Sequence, residues 1–68
     1  MYIVIELQTN GSTTANIVNS YNTRNEAEQK YHLILSAAAV SSVEIHAAVM
    51  LTADGMLINS QAYHHGEE

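Results

Sequence analysis

The hydrophobic period of this chain changes twice, and that change limits what it can fold into more than any other feature. Residues 2–8 (YIVIELQ) are rich in β-branched and aromatic side chains and put Ile3, Ile5 and Leu7 on one face, the period of two that marks a strand. Residues 14–21 (TANIVNSY) repeat the pattern in a more polar form, with Ile17 and Val18 pointing opposite ways. Between them lies Thr9-Asn10-Gly11-Ser12, where Asn10-Gly11 is the expected source of positive φ for a hairpin.

At Thr23 the period lengthens. Thr23-Arg24-Asn25-Glu26 matches a capping box, in which the Thr hydroxyl and the Glu carboxylate satisfy orphan amides at a helix start. From Glu26 to about Val40, Ala27, Tyr31, Ile34, Leu35 and Ala38 fall on one stripe at 100° per residue. Ser41-Ser42 ends that helix, and the period returns to two. Residues 43–51 (VEIHAAVML) set Val43, Ile45, Ala47, Val49 and Leu51 against Glu44, His46, Ala48 and Met50. Thr52-Ala53-Asp54-Gly55 supplies Asp and Gly for a second tight turn, and residues 56–64 read as the return strand.

The order ββαββ predicts a single α+β domain over residues 1–64, a four-stranded antiparallel sheet with one helix packed on one face. Residues 65–68 read as a polar tail that frays. The face of the sheet away from the helix is expected to carry some of Tyr2, Val4, Val18, Ala48 and Met50.

Composition adds a second expectation. A chain of 68 residues has a marginal core, and this one contains no cysteine for a disulfide framework, a thiolate metal site or a thiol nucleophile. Its charged fraction of 13% is about half of the ~25% usual in globular domains, so apolar or amide-rich surface must lie outside. A homo-oligomer, dimer or higher, would cover it. Two surfaces qualify: an outer helix stripe of Leu33, Ala37 and Val40, and the back of the sheet with Tyr2, Val4, Ala48 and Met50.

A net charge of −5 with only two cations argues against a nucleic-acid partner, because each neutralised phosphate needs a Lys or Arg. The first basic residue is Arg24, so the start lacks the basic region of a signal peptide. The longest apolar run, Ala47 to Leu51, falls far short of the ~20 residues that span a bilayer. The expectation is a cytoplasmic protein with no membrane partner.

The stretch from Ala27 to Ser41 (AEQKYHLILSAAAVS), the following Val43-x-Ile45-His46-x-Ala48-Val49-Met50-Leu51 and the Asp54-Gly55 turn resemble a family of very short proteins of prophages and mobile elements of gut Firmicutes. The likeness runs from Tyr2 to the final hairpin. It implies a phage or prophage setting, the host cytoplasm as location, and no catalytic or binding residues to carry over.

The residues themselves offer three kinds of chemistry. Glu44 and His46 share a strand face and form the best local pair for a metal or an acid–base dyad, whereas His32, His64 and His65 show no ligand spacing. The bland alternative, ordinary surface histidines, carries more weight, and no catalytic residue, metal ligand or cofactor is assigned. The helix start offers free amides and a partial positive charge, with Arg24, Tyr21, Asn22, Asn25 and Lys30 around it as a candidate anion site. Against it stands a capped helix whose Arg24 simply pairs with Glu28 at i, i+4. The functional expectation is a non-enzymatic, phage-type binding protein acting as a homo-oligomer, in counter-defence by blocking a host protein or sequestering a nucleotide-like ligand. A structural or assembly accessory, or a small metal protein or enzyme built on Glu44 and His46, are the alternatives.

Overall fold

The computed structural model describes residues 1–65. Its elements follow in the order β1 (Tyr2–Asn10), β2 (Thr13–Tyr21), α1 (Arg24–Ala39), β3 (Ile45–Thr52) and β4 (Leu57–His64). The four strands form one antiparallel sheet in the order β2-β1-β3-β4. Two hairpins thus meet along a central β1–β3 seam, where Val4 faces Met50 and Gln8 faces His46. The α+β, ββαββ architecture expected from the sequence is the one observed.

Both turns depend on glycine, each in its own way. The first loop is Gly11-Ser12 rather than Asn10-Gly11: Asn10 ends β1 opposite Thr13. Gly11 has φ +61, and among the described residues only glycines have positive φ, the pattern of a two-residue turn with glycine first. Asn10 is left free to cap the chain elsewhere, and its Oδ1 accepts from the Glu44 amide at 3.1 Å. In the second turn the Gly55 amide donates to Thr52 O at 2.9 Å, and Gly55 takes φ +88, the left-handed position of a three-residue loop.

Helix α1 opens at Thr23, whose hydroxyl accepts from the Glu26 amide at 3.3 Å. The buried residues of the helix are Ala27, Tyr31, Ile34, Leu35 and Ala38, the stripe read from the sequence. No helix among the described residues is long and apolar enough to cross a membrane.

The stripe packs on the face of the sheet opposite to the one expected. Val4, Ala48 and Met50, at 0–2% exposure, join Ala27, Tyr31, Ile34 and Leu35 in one cluster, with Tyr2, Tyr21, Ile58 and Tyr63 packed around it. Tyr2, Val4, Ala48 and Met50 therefore belong to the intramolecular core and are not free to meet another copy. The register places Ile3, Ile5, Leu7, Ala47, Val49 and Leu51, with Val18, on the open side. Only Val18 lies where the sequence placed it. Alternation fixes which residues share a face, but not which face the helix covers. Ile58 departs from strict alternation too. Met50 pairs with Asn59 and Leu51 with Leu57, so Ile58 is the extra residue of a bulge and turns toward the core.

Candidate functional site

Among the described residues, Glu6 is the only Asp, Glu, Lys or Arg within β1–β4, and it lies on the helix-covered face. Across the seam it is diagonal to His46, close enough for long side chains to meet. His46 Nε2 lies 2.7 Å from Glu6 Oε2, with the imidazole 5% and the carboxylate 15% exposed. Gln8 Nε2 donates to the same oxygen at 2.9 Å. On its other side, His46 Nδ1 lies 3.0 Å from Ser41 Oγ, and that hydroxyl also reaches Ala38 O at 3.4 Å. Ala38 O, at the helix end, accepts from His65 Nε2 as well, at 2.7 Å. A chain of polar groups thus runs from the helix C-terminus through Ser41 and His46 to the sheet.

The chain is satisfied in either protonation state of its imidazole. Neutral His46 donates from Nε2 to Glu6 and accepts at Nδ1 from the Ser41 hydroxyl. Protonated His46 donates from both nitrogens, and Ser41 turns its proton to Ala38 O. Burial pushes the Glu6 pKa up, but hydrogen bonds from His46 and Gln8 and the charges of His46 and Lys30 outweigh it, leaving the carboxyl below its ordinary 4.5.

Serine, histidine and a carboxylate here follow one another in the order of a hydrolytic triad, in surroundings unlike those such chemistry uses. Ser41 sits at a helix C-terminus, whose carbonyl dipoles disfavour the developing oxyanion that such chemistry must stabilise. No cavity opens among the described residues. What the arrangement does is anchor the helix end to the sheet through the Ala38–Ser41–His46–Glu6 hydrogen bonds.

The Glu44–His46 pair that the sequence offered as an alternative does not form, because the two carry out separate tasks. Glu44 precedes β3, and its Oε1 accepts from the Gly11 amide at 2.7 Å, tying the first hairpin to the loop after the helix. Among the described residues no three His, Asp or Glu groups converge as a metal would need. His32 stands edge-on to the Tyr31 ring, and His65 stacks on Tyr63 with ring centroids 6.2 Å apart. His65, read from the sequence as the first residue of a fraying tail, is instead held by a stack and two hydrogen bonds, its amide donating to Glu44 O. Gly66, Glu67 and Glu68 lie outside the described residues.

At the helix start, Arg24 Nε meets Glu28 Oε2 at 2.9 Å across an exposed i, i+4 pair. Tyr21 and Lys30 are half-buried there, and Asn22 and Asn25 exposed. On the outer helix surface Leu33 is 59% and Val40 86% exposed, with Ala37 exposed between them, as the sequence suggested.

The largest feature missed from the sequence is the pairing of Glu6 with His46. Its signal was a lone charge in the β1 pattern, two residues from the position that faces His46. Finding it required the seam register, which neither hairpin sets on its own. Compared with protein-family models, curated proteins and solved structures, the chain matches none.

Proposed function

We propose that this chain is a non-enzymatic binding protein of phage or prophage type that works as a homo-oligomer, with the open face of its sheet packed on that of a second copy. One observation carries the reading. The open face runs through Ile3, Ile5, Leu7, Val18, Ala47, Val49 and Leu51, and among the described residues no Asp, Glu, Lys or Arg lies on it. Two copies, each of net charge −5, meet there without opposing like charges. Four strands about 4.8 Å apart and about 26 Å long give a plane on the order of 500 Å² per copy. Together the two planes reach the roughly 1,000 Å² at which specific interfaces begin.

The host-directed role, blocking a protein or sequestering a nucleotide-like signal, is supported by the resemblance to prophage proteins and by the small, stoichiometric character of the chain. Native mass spectrometry of protein purified directly from cells tests both parts. The expected spectrum is an even multiple of 7.4 kDa, and Val49→Lys halves it. A discrete added mass identifies a sequestered ligand, and a bare multiple directs the search to host proteins by pull-down. A monomer at tens of micromolar overturns the reading.

A further inference from the structure

We propose that β2 is a second, independent self-association site, pairing edge to edge with β2 of another copy about a two-fold axis at Ile17. β2 is one outer strand of the sheet, β4 the other. Edge strands are normally protected by Lys, Pro, bulges or shortness. β2 has nine residues (TTANIVNSY), no charge, no proline and an unbroken register with β1. β4 carries the bulge at Ile58 and is the less regular template.

The register fixes which backbone groups are free. A two-residue loop closes on a hydrogen-bonded pair, here Asn10 and Thr13, so β1 engages Thr13, Ala15, Ile17, Asn19 and Tyr21. The N–H and C=O groups of Thr14, Asn16, Val18 and Ser20 point outward. One antiparallel register matches that set to itself: Thr14 to Ser20 and Asn16 to Val18 of the second copy, with Ile17 facing Ile17 at the centre. All the outward groups of those four residues are then paired.

The same register accounts for the side chains. Ile17 and Val18, the exposed large hydrophobics of β2 at 51% and 56%, point to opposite faces of the sheet. No intramolecular packing covers both, but both lie at the middle of the strand, where pairing buries them. The product is a continuous eight-stranded sheet with both helices on one side. Its doubled open face then packs on another such dimer, giving a closed tetramer with perpendicular two-folds if the face contact also holds.

Cysteine trapping tests the register, because the native chain has no cysteine. In a non-hydrogen-bonded antiparallel pair the Cα atoms stand about 4.5 Å apart, within disulfide reach. Oxidised Ile17→Cys is expected to run as a covalent dimer. Ala15→Cys is expected to stay monomeric under denaturing conditions, since residue 15 faces residue 19 of the other copy. Equal trapping of both, or trapping of neither, overturns the proposal. As a second measurement, Ile17→Lys is expected to raise the edge Kd about tenfold or more, and mixing it with Ile17→Glu to restore assembly. Failure of the mixture to reassemble also counts against the register. Both experiments run in a Val49→Lys background, so a failed face contact leaves the edge dimer readable, and the converse holds with Ile17 intact.

Discussion

The two faces of this sheet reverse the usual relation between apolarity and burial. The helix covers the face that carries Glu6, Gln8 and His46 beside Val4, Ala48 and Met50. The face left open carries the more uniformly apolar set, Ile3, Ile5, Leu7, Ala47, Val49 and Leu51. On the covered face Glu6, Gln8, His46 and Ser41 bond one another, so those charged and amide groups are paired while the Tyr31 hydroxyl, among the described residues, is not. The same face admits the helix closely, with Ala27, Ala38 and Ala48 all at 0% exposure. The open face, whose polar side chains (Asn16, Ser20, Ser60) sit on the outer strands around an apolar centre, suits a partner that brings another largely apolar face. The difference teaches that the face a lone helix chooses follows from what that face needs satisfied, as well as from how apolar it is.

Breaking the comparison begins in the core. Met50→Ala is expected to cost about 2–5 kcal/mol in urea unfolding of the protomer. Val49→Thr, one residue away on the open face, is expected to leave the unfolding of a dilute, dissociated sample within about 1 kcal/mol of the parent while weakening association. Equal losses for the two would mean that the faces are energetically alike.

Next comes the seam. Glu6→Ala leaves His46 buried without its carboxylate and is expected to cost about 2–4 kcal/mol. The acid limb sharpens the assignment. Because the Glu6 carboxyl titrates below 4.5 in the folded chain, its contribution is complete above that value and fades as pH falls through the folded pKa. Urea midpoints at pH 6 and pH 3 are expected to differ less in Glu6→Gln than in the parent.

The smallest effect concerns Tyr31, which is 1% exposed with a hydroxyl that lacks a hydrogen-bond partner among the described residues. Burial also raises its pKa above 10.0. Tyr31→Phe removes an unsatisfied polar atom and is expected to be neutral or to stabilise by up to about 1 kcal/mol in thermal unfolding. A clear loss of stability would show that the hydroxyl is satisfied.

Much of the fold was legible because local signals agreed with one another. Thr23 marked the helix start, Gly11 and Gly55 the turns, and Ala27 through Ala38 the buried stripe. The candidate site was legible only in part. Glu44 and His46 were picked out, but Glu44 is held by Gly11 and His46 by Glu6, through contacts 33 and 40 positions apart in sequence. The facing of the sheet was hidden for the same reason. It is decided where β1 meets β3, and no short window of sequence contains both strands.

That seam also sets an order of events in time. Each hairpin closes over a short loop, a step on the order of microseconds. The meeting of Glu6 with His46, 40 positions apart, closes a far longer loop and is expected to follow the hairpins. Substitutions along the seam are therefore expected to appear mainly in the refolding rate measured by stopped flow, and substitutions near the outer edges of β2 and β4 in the unfolding rate.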